Sequence, residues 1–132
     1  MTEKRFTLTE ARNLVPWLQE TFDDLAPLCE RVKRLQGEID EMVERGRSNG
    51  GTHAEGRLEL TRRALSELTE TLTEELRLVM ERGILVRSID RPLVDFPSTR
   101  EGREVYLCWL DGETDIAFWH ETDTGFAGRQ PL

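Results

Sequence analysis

The sequence predicts an α+β fold, in which a long antiparallel helical hairpin, coiled-coil-like, precedes a small antiparallel β region at the C-terminus. Two observations support this prediction. Apolar residues recur seven apart in two long segments, as they do where helices pack along a seam. From residue 83 onward the chain consists of short β-type runs separated by Pro, Gly and Asp-Gly, a pattern typical of strands and turns.

Helix one is predicted over residues 6–45. Thr7 is followed three residues later by Glu10, the spacing of a capping box that satisfies two backbone donors at a helix start. Pro16 and Pro27 each remove a backbone donor from the segment, so we expect a kink or a break near these two positions.

A second helix is predicted over residues 54–82, after a turn over 46–53 that is rich in Gly, Ser and Asn. The seam residues are Leu18, Leu25, Val32, Ile39, Leu28, Leu35 and Met42 on helix one, and Leu58, Leu65, Leu72 and Val79 on helix two. Two helices joined by a short turn pack antiparallel and leave apolar surface uncovered. Because a 50-residue tail is too small to cover helices of about 43 Å, we expect a homodimer rather than coverage by the tail alone.

The tail, residues 83–132, completes a single domain over 1–132. Its predicted strands are Ile84–Val86, Leu93–Phe96, Val105–Leu110 and Ile116–His120. The last two are expected to form a hairpin around residues 111–115, and both are apolar on both faces, as strands covered on both sides are.

Composition limits the classes of partner. The chain carries 26 acidic and 18 basic residues, a formal charge of −8, and neither half is basic, so we expect no nucleic-acid and no membrane partner. No apolar run approaches the ~18 residues of a membrane span, and no apolar signal segment follows the first residues. A cytoplasmic protein is therefore expected, with Cys29 and Cys108 as free thiols.

A candidate metal site lies in the predicted hairpin. If the loop spans residues 111–115, Tyr106 faces His120, and Cys108 and His120 become diagonal neighbours on one face. Glu121 then points the other way, and a third ligand comes from elsewhere. A tighter turn separates Cys108 from His120. The candidate ligands for a divalent transition metal are Cys108, His120, Asp95, Glu121 and Asp123.

Plainer interpretations compete with the metal site. A lone Cys in an apolar strand is usually a small buried hydrophobe, and nothing after Cys108 resembles the sharp turn of a catalytic nucleophile. Arg103 and Arg129 are candidates for anion binding. For Arg129 we favour instead an ion pair with Asp95 or Glu121 that ties down the terminus.

The chain also resembles a known family. The tail Gly102–Trp109 with Phe118–Glu121 and Gly125–Leu132, and the start Phe6–Arg12, resemble recurrent stretches of the bacterial domain of unknown function 2203. The resemblance covers essentially the whole chain and implies no known catalytic or binding residues. Members often carry a basic residue after the Cys-Trp pair, where this chain has Leu110 and Asp111.

Two functions follow from the sequence as hypotheses. The leading one is a non-enzymatic interaction or assembly module that dimerises through its helices and presents the tail to a partner protein. The alternative is a small metal-binding protein with a site near Cys108 and His120. We expect that the chain is not an enzyme.

Overall fold

The computed structural model describes residues 4–46 and 52–132, and for residues 52–54 it describes the backbone alone. It confirms the α+β class, with two long helices followed by a five-stranded antiparallel sheet. The elements are α1 Leu8–Gly46, α2 Thr52–Glu81, β1 Leu85–Ser88, β2 Leu93–Arg100, β3 Arg103–Leu110, β4 Phe118–Glu121, a single 3₁₀ turn Phe126–Gly128, and β5 Gln130–Pro131. In these described parts of the chain, no helix combines the length and the apolarity needed to cross a membrane.

The start of α1 is the predicted capping box. The Glu10 backbone N–H donates to Thr7 Oγ1 at 3.1 Å, and the Thr7 backbone N–H donates to Glu10 Oε1 at 2.9 Å. These bonds satisfy two donors that the first helical turn leaves unpaired. The bond from the Thr7 backbone N–H lowers the pKa of Glu10, and the Thr7 side chain lowers it further, since both stabilise the carboxylate.

Neither proline interrupts α1, which is one continuous helix of 39 residues. The expected break is therefore absent. Each proline costs the helix about 3 kcal/mol, but both rings are exposed while Leu18 and Phe22 between them are buried. Burial of this apolar face offsets the loss of two backbone hydrogen bonds. Most of the predicted turn over 46–53 lies outside the described residues.

The chain forms two compact units. The first combines the residues up to Asp23 with Leu76–Leu132 and contains the whole sheet, and the second, Asp24–Glu75, is helical. In the second unit the seam is only partly buried. Its buried residues are Leu25, Ile39, Leu68 and Leu72, and its half-buried ones are Leu28, Val32, Leu35, Met42, Leu58 and Leu65.

The sheet is a simple meander, with the strand order β1-β2-β3-β4-β5. β2 and β3 form its longest pairing, which runs from Leu93 opposite Leu110 to Arg100 opposite Arg103. The two residues between them, Glu101 and Gly102, have φ angles of 52° and 79°. Two consecutive positive φ values are characteristic of a type I′ turn, whose twist matches that of the strands it joins.

One face of the sheet packs on α1 within the first unit. Phe6 meets the edge of Phe96 with ring centroids 5.2 Å apart, and Phe22 stacks on Trp109 at 6.2 Å. Because side chains alternate along a strand, the other face carries Leu93, Asp95, Tyr106, Cys108, Phe118 and His120. The polar residues of interest are therefore on the face away from this aromatic core.

Replacement of Thr7 by Ala tests the start of α1. The variant removes the acceptor of the Glu10 N–H, so the free energy of unfolding should fall by about 1 kcal/mol. Thr9→Ala, at an exposed position in the first turn of the helix, is the matched control and should change it by less than about 0.5 kcal/mol. Equal effects of the two substitutions in chemical denaturation would contradict the capping role.

Candidate metal centre

Three side chains that can bind a metal converge on the outer face of the sheet. Asp95 lies directly opposite Cys108 on the neighbouring strand, and Tyr106 lies opposite His120, so His120 is diagonal to Cys108. One carboxylate oxygen, the thiol sulfur and one imidazole nitrogen all lie within 4.8 Å of one another. All three residues are buried. The register expected from the longer hairpin loop is thus confirmed, although the ladder stops at Cys108 and Phe118.

Both ring nitrogens of His120 are engaged. Nδ1 lies 2.8 Å from the backbone oxygen of Glu121, and Nε2 lies 2.9 Å from Asp95 Oδ1. A backbone carbonyl oxygen can only accept, so the Nδ1 position carries a proton. This bond fixes the ring, and Nε2 faces Asp95. A histidine that binds a metal through Nε2 is commonly held in this way at its other nitrogen.

Arg87 holds the second oxygen of Asp95. Its Nε donates to Asp95 Oδ2 at 2.9 Å, and this hydrogen bond raises the pKa of Arg87. The guanidinium also lies 5.2 Å from the centroid of the Tyr106 ring, which in turn lies 5.5 Å from the His120 ring. Asp95 is therefore held from both sides, with Oδ1 towards His120 and Oδ2 towards Arg87.

The thiol of Cys108 is protonated in this arrangement. Burial, reinforced by the neighbouring Asp95 carboxylate, raises its pKa to about 12, because both disfavour the thiolate. A nucleophilic cysteine requires the opposite, a lowered pKa and a base that takes its proton. The His120 nitrogens face Asp95 and Glu121 instead, so the geometry does not favour a Cys-His nucleophile.

The other two predicted ligands lie in different places. Glu121 binds Arg103, with Nη2 and Oε1 2.9 Å apart, on the opposite side of β4 from His120, as the register implies. Asp123 lines a cavity beside the cluster together with Asp95 and His120. Of the five candidate ligands, the structure brings Asp95, Cys108 and His120 together.

Arg129 pairs with an internal carboxylate, as predicted, but with neither Asp95 nor Glu121. Its Nη2 donates to both carboxylate oxygens of Glu113, at 2.7 and 2.9 Å, and its guanidinium lies 4.2 Å from the centroid of the Phe118 ring. Glu113 also accepts the backbone N–H of Leu110 at 2.7 Å. This ion pair anchors the C-terminal segment to the loop between β3 and β4. Anion binding by Arg103 or Arg129 stays a prediction.

Two contributors to the site were missed at the sequence level, Arg87 and Tyr106. The predicted first strand stopped at Val86, whereas β1 extends to Ser88 with an irregularity in its pairing between Val86 and Ser88. A bulge of this kind changes the direction of a side chain, and Arg87 lies within it. Tyr106 was recognised only as the partner of His120, because its contact with Arg87 depends on that bulge.

A cavity of about 440 Å³ adjoins the cluster. Its lining residues are Arg87, Leu93, Asp95, Tyr106, His120 and the stretch 122–126. Two of the three converging side chains, Asp95 and His120, thus border open space. The cluster is buried in the sheet face but accessible through this cavity.

The raised pKa of Cys108 makes stability depend on pH. In metal-free protein above about pH 9, the unfolded chain releases the thiol proton while the folded chain keeps it up to about pH 12. Stability should therefore fall as pH rises through this range, by at most about 1.4 kcal/mol per pH unit from this group.

Cys108→Ala removes this contribution. The stability difference between the natural protein and the variant should shrink from about pH 8 to about pH 10.5 in urea titrations with a chelator present. Val105→Ala, at a buried apolar position on the same strand, should give a difference independent of pH. A constant difference for Cys108→Ala would contradict the raised pKa.

Comparison with known proteins identifies the family to which the chain belongs. The model of the family described as an uncharacterized conserved protein, DUF2203, matches residues 4–132. No curated protein and no solved structure matches the chain. The chain therefore belongs to the DUF2203 family, as its motifs suggested.

Proposed function

We propose that this member of the DUF2203 family binds a divalent transition metal ion through Asp95 Oδ1, Cys108 Sγ and His120 Nε2. The observation that carries the proposal is the convergence of one donor atom from each of these three residues within 4.8 Å on a buried sheet face, with Nε2 and Oδ1 2.9 Å apart. Hydrophobic strands seldom bury a carboxylate, a thiol and an imidazole side by side unless their mutual contacts compensate for lost hydration. A bound ion supplies that compensation.

The spacing of the nitrogen and oxygen donors fits an ion after a small adjustment. In a tetrahedral site with bonds of about 2.0 Å, an oxygen and a nitrogen ligand lie about 3.3 Å apart. The 2.9 Å between His120 Nε2 and Asp95 Oδ1 would widen by roughly 0.4 Å.

The surrounding contacts favour the same arrangement. The Glu121 backbone oxygen keeps the proton on His120 Nδ1, which leaves Nε2 for the ion. Arg87 occupies Asp95 Oδ2, so Asp95 offers the ion its other oxygen alone. Such outer contacts orient the ligands of known metal sites and tune their affinity.

The donor set indicates which metals suit the site. One thiolate, one imidazole and one carboxylate are all ligands of Zn²⁺, whereas Mg²⁺ and Ca²⁺ prefer oxygen alone. Binding releases the Cys108 thiol proton and the proton between His120 Nε2 and Asp95 Oδ1, since the thiolate, the unprotonated nitrogen and the carboxylate are the ligands. Three protein ligands also leave a fourth position open, as in zinc sites that accept a further molecule.

Elemental analysis of protein purified without a metal-affinity tag tests the proposal. We expect about one equivalent of a transition metal, foremost zinc, per chain, and less than about a tenth of that in Cys108→Ser. Cys29→Ser is the matched control, since it alters the other free cysteine, and it should keep the metal. Equal metal contents of natural protein and Cys108→Ser, with unchanged circular dichroism, would contradict the proposal.

A second proposal concerns assembly. We propose that the chain forms a homodimer through its helices, which the incomplete burial of the helical unit supports. Leu60 on α2 is 64% exposed, and Leu58 and Leu65 on the same helix are only half-buried. A second copy would cover such a face, in the manner of a four-helix bundle. The metal site and the dimer are compatible.

Sedimentation equilibrium at micromolar concentration tests the dimer. The natural chain of 15.3 kDa should sediment with about twice that mass. Leu60→Lys should give the monomer mass while its circular dichroism stays that of a folded helical protein, because Leu60 is exposed within one chain. Thr61→Lys, half-buried at the next position, is the control for the added charge. A monomer mass for the natural chain would overturn this proposal.

A further inference from the structure

We infer that the cavity beside the cluster receives a small monocarboxylate with an apolar tail, whose carboxylate binds the ion at its open position and contacts Arg87. The inference rests on the proposed metal site and adds the class of molecule that completes it.

The cavity borders two of the three proposed metal ligands. Of the three proposed ligands, Asp95 and His120 line the cavity, while Cys108 lies in the sheet with no exposed surface. The protein donors thus approach the ion from the sheet, and the fourth position faces the open side. The volume of about 440 Å³ falls in the range of pockets that hold small molecules, roughly 300 to 1,000 Å³.

Arg87 supplies hydrogen-bond donors beside this open position. Arg87 lines the cavity and uses its Nε for Asp95. A guanidinium has further N–H groups beyond Nε, in a planar fork that suits the oxygens of a carboxylate. One carboxylate oxygen can therefore bind the ion while the other accepts from Arg87. The phenol of Tyr106 is a further donor in the same wall.

Charge selects a monoanion. A divalent ion is neutralised by the Asp95 carboxylate and the Cys108 thiolate. Arg87 contributes one positive charge to the cavity wall, and Asp123 contributes one negative charge. The total is close to zero, so a ligand with one negative charge is accommodated more easily than a phosphate dianion, which Asp123 repels more strongly.

Apolar side chains at the other end of the cavity indicate the tail. Leu93 and Phe126 both line it, and Phe126 is 48% exposed although it is a large apolar residue. An aliphatic chain of a few carbons would lie against these two side chains and cover part of the Phe126 ring, which favours binding in proportion to the apolar area removed from water.

Isothermal titration calorimetry with butyrate as the probe tests the inference. Zinc-loaded protein, with its metal content measured first, should bind butyrate, and metal-free protein should not. Inorganic phosphate should bind more weakly than butyrate, and acetate should also bind more weakly because it lacks the tail. Phe126→Ala should lower the affinity for butyrate and leave that for acetate unchanged.

Two charge variants sharpen the test. Asp123→Asn should bind butyrate about twofold to fivefold more tightly, whereas Glu59→Gln, the same charge change on α2 in the other unit, should have no effect. Arg87→Met, where it retains zinc, should bind about tenfold more weakly.

The outcomes separate this inference from the metal site. Protein that holds one zinc but binds no butyrate overturns the inference alone, as does equal binding by zinc-loaded and metal-free protein, or tighter binding of phosphate. Protein that holds no metal at all overturns both. Binding that requires zinc, weakens in Phe126→Ala and tightens in Asp123→Asn supports the inference.

Discussion

β3 is hydrogen-bonded along both edges, and its register with β2 and β4 determines which side chains meet on each face of the sheet. Asp95 lies opposite Cys108, and His120 lies opposite Tyr106. A shift of one residue in either pairing would send one member of the cluster to the other face. The Phe22–Trp109 stack on the inner face opposes such a shift, since it would expose Trp109. Packing of the aromatic core therefore also holds the polar cluster in place.

The polar groups on the outer face lose hydration when they are buried, and their contacts with one another compensate for this loss. The Asp95 carboxylate loses hydration and gains hydrogen bonds to Arg87 and His120, while Cys108 stays neutral at ordinary pH because of its raised pKa. Removal of one partner from a buried charged pair commonly costs about 3 to 5 kcal/mol. The metal-free cluster is thus stable as a hydrogen-bonded network, and metal binding replaces its thiol proton and the proton between His120 Nε2 and Asp95 Oδ1 by an ion.

Local sequence patterns predicted most of the fold, because periodicity and capping depend on neighbours in the chain. The capping box and the two helices follow from such patterns, whereas the hairpin register was one of two that the sequence allowed. Long-range packing accounts for the misses. Pro16 and Pro27 lie within one helix since the buried face between them outweighs the lost bonds. Arg87 reaches Asp95 through a strand irregularity, and Arg129 finds Glu113 in a loop, neither of which has a local sequence signal.

X-ray absorption spectroscopy of the metal-loaded protein is the most direct test of the proposed coordination, because it counts the donor atoms of each type around the metal. We expect one sulfur donor at about 2.3 Å from the metal and two or three nitrogen or oxygen donors at about 2.0 to 2.1 Å. A first shell without sulfur in the natural protein would contradict a site built on Asp95, Cys108 and His120.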